Sequence, residues 1–245
     1  NRADLRWPFP ENFAKRLEKA KVLNLKRRSK YILVNLSTGE TLLIHLGMSG
    51  KILVSNKKLG NYFHETAKIA RHDHVVFKMN DGTIITYNDP RRFGAMDLAK
   101  TDTLKYHKFI QRLGPEPLGN NFNANYLKNK FSKKESPIKS VLLDQSVVAG
   151  LGNIYVCEAL FMSGISPKKT ASKISIKKCE ELVRNIRGIL ISAIEAGGSS
   201  LKDFTDIEGN SGYFQFEFYV YGRDNELCKS NTCNRKIKRI SQLQN

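Results

Sequence analysis

Several short segments bring together side chains suited to chemistry on a polyanion. Asp89-Pro-Arg-Arg-Phe-Gly94 crowds two arginines and an aromatic ring into one loop. An arginine there can hydrogen-bond a base that has lost its partner, and the phenyl ring can stack. The plainer alternative is a solvated basic loop over a buried Phe. His45-Leu-Gly-Met-Ser-Gly50 sets a Met at the tip of a loop with two glycines. A long apolar Met can wedge into a base stack if exposed, or else pack in the core. Leu142-Leu-Asp-Gln-Ser-Val-Val-Ala-Gly-Leu-Gly-Asn-Ile-Tyr155 runs a helix end through a glycine bend into a new helix at Asn153. Free N–H groups and the positive end of the helix dipole would suit a phosphate there. An ordinary helical corner with an Asn cap fits the spacing equally well. Lys26-Arg-Arg-Ser-Lys30 runs into an apolar stretch, as a phosphate contact at a strand edge or as a solvated charge run. Cys228 and Cys233 have four residues between them, within the range of zinc-ligand spacings. Two thiolates are half a tetrahedral site. No Cys or His follows Cys233, so closing the site needs ligands beyond Asn245 or a remote His, unless the two are isolated thiols.

The composition points the same way. Forty-one Lys and Arg stand against 23 Asp and Glu, a formal net charge of +18 on 245 residues. Such an excess releases counterions when it meets a phosphate backbone. No apolar run approaches the ~18 residues of a membrane span, and no N-terminal signal pattern is visible. Cys157 and Cys179 lie in apolar helical patterns and read as buried thiols. With no disulfide framework, a reducing cytosol is expected. The sequence opens at Asn1 and closes at Asn245 in mid-pattern, as a fragment or the ordered part of a longer chain would.

The elements that must position these residues fall into two regions. A helix over residues 12–20 precedes strands at 31–36, 41–46, 51–54, 74–79 and 83–87, with Asn80-Asp81-Gly82 as a hairpin turn needing positive φ. Short strands with tight turns predict a sandwich or barrel. From about residue 104 the period changes to ~3.6. A short helix is expected over 104–113, and Gly114-Pro-Glu-Pro-Leu-Gly119 marks a boundary. Helices follow over 125–131, from Ser136-Pro137 to about 144, over 153–163 and over 175–196, the last ended by Gly197-Gly198. Tyr213 to Tyr221 reads as strand.

In their order along the chain these segments resemble the formamidopyrimidine-DNA glycosylases. The stretches that carry the resemblance are Leu5-Arg-Trp-Pro8, Arg27-Arg-Ser-Lys-Tyr31, His45 to Gly50, His72-Asp-His-Val75 and Asp89 to Gly94. Leu113-Gly-Pro-Glu-Pro117, Leu143-Asp144 with Gly150 to Tyr155, Gly197-Gly198 with Leu201-Lys-Asp-Phe204, and Val220-Tyr-Gly-Arg223 complete it. Each is weak alone; their joint order is specific. The resemblance implies an α+β protein: an N-terminal β-sandwich lobe (1–113), a helical domain with a helix–two-turns–helix motif (114–211) and an incomplete zinc-finger β-hairpin (212–245). It implies a monomeric, bacterial-type cytoplasmic enzyme associated with the nucleoid, acting on double-stranded DNA that contains oxidised purines or abasic sites. The damaged base, 8-oxoguanine or a formamidopyrimidine, is flipped out and removed through a Schiff base. AP lyase β,δ-elimination then cuts the strand.

Carried over position by position, Met48, Arg91 and Phe93 resemble the trio that fills the gap left by the flipped base. Lys30, His45, Asn153 and Tyr221 resemble phosphate contacts, with Lys30 also supporting catalysis. Lys139 resembles a lysine near the lesion, and Asn210 to Phe214 falls at a lesion-capping loop. Cys228 and Cys233 resemble half of a site for one Zn2+ ion. The sequence departs from the family pattern in lacking the N-terminal Pro-Glu that holds the nucleophile. Its cysteine pair is also spaced more widely than the family's. The chain as written is therefore expected to bind DNA and not cleave it. Two other readings stay open: an endonuclease VIII-type glycosylase for oxidised pyrimidines, and a non-catalytic damaged-DNA-binding protein.

Overall fold

The computed structural model describes residues 4–55, 70–198, 218–230 and 232–242. It divides into two compact units, residues 1–110 with 200–212, and residues 111–199 with 213–245. Leu201 to Phe204, Asn210 to Phe214 and the first part of the 213–221 stretch lie outside the described residues.

The first unit is built on two antiparallel sheets. One has the order β1-β2-β3-β7, from Val22–Arg28, Tyr31–Leu36, Glu40–His45 and Ala95–Lys100. The other has the order β4-β6-β5, from Lys51–Ser55, Ile84–Asn88 and Asp73–Lys78. Thr41 to Ile44 of the inner strand β3 are all buried. They pair in register with β7, setting Leu42 opposite Leu98 and Ile44 opposite Met96. The hairpin at Asn80-Asp81-Gly82 forms as expected, with Gly82 at φ 81°. Asp81 Oδ1 accepts from the Thr83 N–H at 2.9 Å.

Two strands go beyond the sequence reading. β1 is half charged and exposed along most of its length, and β7 is made of Ala, Met, Asp, Leu and Lys. Neither has strand propensity to speak of; their partners in the sheet hold them. Two expected helices are shorter than read. α1 spans only Phe13–Leu17, because Asn12 is left-handed and makes no cap bond. At 104–113 only Leu104–Tyr106 forms a helical turn, of the 3-10 kind. The chain is drawn away there by its side chains. His107 Nε2 lies 3.3 Å from Asp97 on β7, and Phe109 stacks on Tyr31 of β2 at 5.6 Å.

The second unit is helical: α2 (Ala124–Phe131), α3 (Ile138–Leu143), α4 (Asn153–Met162) and α5 (Ile176–Glu195). Phe122, Phe131, Leu142, Leu151, Leu160 and Leu182 anchor its core with almost no exposed surface. Burying each such side chain contributes about 2 kcal/mol. α5 is closed at both ends, the second where the sequence suggests. Ser175 Oγ accepts from the Lys178 N–H. At the other end Gly197, at φ 70°, lets the Gly198 N–H reach the Ala193 carbonyl at 2.7 Å. At α3 Pro137 takes the N-cap place without a side-chain bond, and the Ser136 carbonyl accepts from the Ala171 N–H.

Candidate nucleic-acid interface

In the first unit the β3–β4 loop and the β6–β7 loop are bound into one piece. Met48 is 59% exposed and Phe93 44% exposed, so neither is a core residue. The Arg91 guanidinium lies over the Phe93 ring, 4.4 Å from its centre. The two arginines of this loop differ in occupation. Arg92, at φ 54°, pairs with Asp4 at 2.9 Å, which leaves Arg91 as the one stacked beside the exposed rim. Beneath the rim sits Asp89, with no solvent-exposed surface. Its carboxylate accepts from Ser49 Oγ at 2.7 Å, Tyr87 Oη at 3.0 Å, the Arg91 N–H at 3.2 Å and the Gly94 N–H at 2.9 Å. Burial works against its charge, but these four bonds outweigh it and hold the carboxyl below the usual range. Burial, reinforced by that carboxylate, keeps the Tyr87 hydroxyl protonated.

Lys30 and His45 are close neighbours of this piece. The β1–β2 hairpin turns at Ser29-Lys30, where Ser29 adopts φ 53°. Lys30 is exposed, yet the protein around its amine desolvates it and lowers its pKa. His45 ends β3 and packs against the Tyr31 ring at 5.0 Å. The Gly47 N–H donates to His45 Nδ1 at 3.0 Å. The neutral ring therefore carries its proton on Nε2, as a donor. Burial lowers the His45 pKa, and Lys30 and Arg6 lower it further.

A group that gives up its proton more readily when folded destabilises the fold in acid. The stability held by keeping His45 neutral is complete above its ordinary value of about 6.5 and is lost as pH falls through that value to the folded one. Urea midpoints at pH 7 and pH 5 should differ less for His45→Gln than for the unsubstituted protein. An equal acid loss in both would contradict this. Some loss remains in the variant, since burial also lowers His107.

In the second unit α3 and α4 are joined by two consecutive turns. Asp144 accepts from both the N–H and the hydroxyl of Ser146, at 2.9 and 2.7 Å. Gln145 bridges the second turn, reaching the carbonyls of Leu143 and Leu151 and accepting from the Gly150 N–H. Gly150 adopts φ 85°. Gly152 is the N-cap of α4 and brings no side-chain cap, so Asn153 opens the helix at its first turn with its side chain exposed. Asn153 Oδ1 accepts weakly from the Cys157 thiol at 3.7 Å. Cys157 is half-buried rather than buried, unlike Cys179. Burial raises its pKa, while the neighbouring Lys139 lowers it by charge and hydrogen bond. Lys139, Asn153 and Cys157 thus form one cluster. The Cys179 thiol is pushed up by burial to about 11 and stays inert.

Tyr221 is fixed to α4 by a residue the sequence reading passed over. Glu158, 2% exposed, accepts from the consecutive N–H groups of Tyr219, Val220 and Tyr221 at 2.8, 3.0 and 2.7 Å. Beyond Tyr221 the chain makes a hairpin, with Asn225 and Glu226 bonded to Ile237 and Cys228 bonded to Arg235. Cys228 and Cys233 line one cavity with Phe161, Met162, Tyr219 and Ser230. The Ser230 N–H points to Cys228 Sγ at 3.5 Å. Among the described residues no group of three or more His, Cys, Asp or Glu is placed to hold a metal ion. A lone acid within the apolar run of α4, and a lone acid heading an arginine loop, were the only marks that Glu158 and Asp89 left in the sequence.

Known proteins share both units. The family model for the formamidopyrimidine-DNA glycosylase N-terminal domain matches residues 1–96, and that for the H2TH domain of the same glycosylases matches residues 113–205. The chain belongs to the formamidopyrimidine-DNA glycosylase family. Among members of this family, the Ruegeria pomeroyi formamidopyrimidine-DNA glycosylase is 56% identical over 242 residues, 99% of this chain and 86% of that protein. The crystal structure of the MutM (Fpg) protein of Thermus thermophilus superposes with a TM-score of 0.83 at 31% identity, covering 96% of this chain and 83% of the other. Lactococcus lactis Fpg bound to DNA containing an abasic site gives 0.83 at 31%, covering 96% and 82%.

Proposed function

We propose that this glycosylase serves base-excision repair by removing oxidised purines, 8-oxoguanine and formamidopyrimidines, from duplex DNA and then cutting the abasic strand by β,δ-elimination. The observation that carries this reading is the exposed Met48 and Phe93, with Arg91 stacked over the Phe93 ring. An apolar wedge next to a bidentate donor suits a duplex from which one base has been extruded. Arg91 would bond the orphaned base, while Met48 and Phe93 would occupy the gap. Lys30, His45 through Nε2, Asn153 and Tyr221 would hold phosphates, and Lys139 would lie near the lesion. The family's chemistry needs a secondary amine that attacks C1′ as the glycosidic bond to the base breaks, and that becomes an iminium electron sink when the C1′–O4′ bond opens, the part given to an N-terminal Pro.

The zinc-finger assignment rests on the hairpin. Two cysteines at its turn, with an N–H aimed at one sulfur, fit half of a tetrahedral zinc site. Cys228 and Cys233 would supply two thiolates, and the ion would brace the hairpin. The relatives are bacterial, and the protein would act as a monomer in the bacterial cytoplasm, at the nucleoid. The segments 1–113, 114–211 and 212–245 would serve as catalytic lobe, DNA-binding helical domain and zinc finger.

Borohydride trapping tests this reading, on a form of the protein that begins with the family's Pro-Glu. A covalent adduct and incision are expected on an 8-oxoguanine duplex. Preferential incision at thymine glycol would favour the endonuclease VIII reading, and no adduct on either would favour a damage-binding protein. Asn153→Ala should weaken binding to damaged and undamaged duplexes alike, by about tenfold for one charge-assisted bond. A loss confined to damaged DNA would contradict its role as a phosphate contact.

A further inference from the structure

We infer that Asp89 is a positioning residue: it holds the Met48 loop and the Arg91-Arg92-Phe93 loop at one fixed spacing, so that wedge and base reader enter the duplex together. The inference rests on the gap-filling roles given above to Met48, Arg91 and Phe93. Asp89 is fully buried and has no cationic partner among the described residues; both carboxylate oxygens bind neutral donors. Those donors come from both loops. Ser49 adjoins Met48, and the Arg91 and Gly94 N–H groups bracket Phe93. The backbone of Asp89 is itself anchored, its N–H to the His72 carbonyl at 3.0 Å and its carbonyl to His74 Nε2 at 2.8 Å. One carboxylate thus spans two chain segments about forty residues apart and bonds Tyr87 of β6, while the backbone carbonyl of the same residue reaches His74 of β5.

A neutral amide cannot replace it. In Asp89→Asn one oxygen becomes an NH2 group, which would confront the donors of Tyr87 and Gly94 or those of Ser49 and Arg91. The loops would then separate by a fraction of an ångström, enough to misalign groups that must act at one base pair. Charge is not what the DNA would read, since the carboxylate is out of reach of solvent.

The test uses lesion duplexes with each of the four bases opposite, and 2-aminopurine beside the lesion to report unstacking. Wild type, Asp89→Asn, Ser49→Ala and Arg91→Ala are compared, with an undamaged duplex as reference. Asp89→Asn should lower opposite-base discrimination about tenfold and lose most of the 2-aminopurine signal, while binding to undamaged DNA stays within about twofold. Ser49→Ala removes a single donor on the Met48 side and keeps the fold. It should reduce the 2-aminopurine signal and leave opposite-base preference intact. If both variants keep the wild-type signal and preference, Asp89 does not position these groups. If Asp89→Asn fails to fold, Ser49→Ala decides alone by the split between its two readouts. Arg91→Ala separates the inference from its foundation. Unchanged opposite-base preference there overturns the gap-filling reading and this inference with it, whereas lost preference there with unchanged Asp89→Asn overturns the inference only.

Discussion

Glu158→Ala is expected to destabilise the helical unit by about 3 kcal/mol and to release the segment that carries Tyr221. The carboxylate is 2% exposed and accepts three consecutive backbone N–H groups. Truncation leaves those donors without an acceptor beside an apolar helix, where water cannot replace the lost bonds at little cost. A bond to a charged acceptor contributes about 1.5–3 kcal/mol, and three that share one group add up to less than their sum. Glu158→Gln keeps one oxygen, enough for part of the cage, and should lose roughly half as much. Phe218, buried in the helical core, limits how far the segment can move. Amide exchange gives the local measurement: the N–H groups of Tyr219, Val220 and Tyr221 should exchange faster in Glu158→Ala, with urea unfolding giving the global loss. Exchange at these three positions as slow as in the unsubstituted protein would show that the carboxylate is not what holds them. DNA affinity should fall as well if Tyr221 contacts a phosphate.

Features fixed by near neighbours were legible in the sequence, and features fixed by distant partners were not. The turn at Asn80-Asp81-Gly82 and the Gly197 stop each depend on residues a few places away, and each stands where the pattern put it. β1 and β7 depend on strands elsewhere in the chain, and their own residues advertise no strand. The failed helix at 104–113 has the same cause, since Asp97 and Tyr31 capture its side chains. The candidate site divides the same way. Spacing alone offered Arg91 and Arg92 equally; the pairing of Arg92 with Asp4, 88 residues away, tells them apart. Met48 could have been core or wedge, and its exposure answers that. Asp89 and Glu158 act wholly through long-range hydrogen bonds, and residue type alone marks neither as more than an isolated acid.

Gly47→Ala should be among the most damaging single-atom changes to the sheet unit, at about 3 kcal/mol. Gly47 adopts φ 66°, which L-residues occupy at a cost of about 1 kcal/mol. A Cβ there would also lie 2.6 Å from the Phe93 carbonyl carbon, 2.7 Å from the Gly94 nitrogen and 2.8 Å from the Phe93 oxygen. All three are backbone atoms, so no side chain can swing aside and the two loops must part. Parting them would strain the Gly47 N–H bond that fixes the His45 tautomer, and would pull Ser49 from Asp89. Gly39→Ala isolates the conformational share of the cost, because Gly39 has φ 77° but open space where its Cβ would stand. It should lose only about 1 kcal/mol. The comparison therefore weighs contact between the loops against backbone conformation alone, by urea midpoints of both variants. If Gly47→Ala proves no worse than Gly39→Ala, the loops are not rigidly joined and Met48 moves independently of Phe93. If it is worse by the expected ~2 kcal/mol, the missing side chain at Gly47 is what allows wedge and base reader to be built as one body.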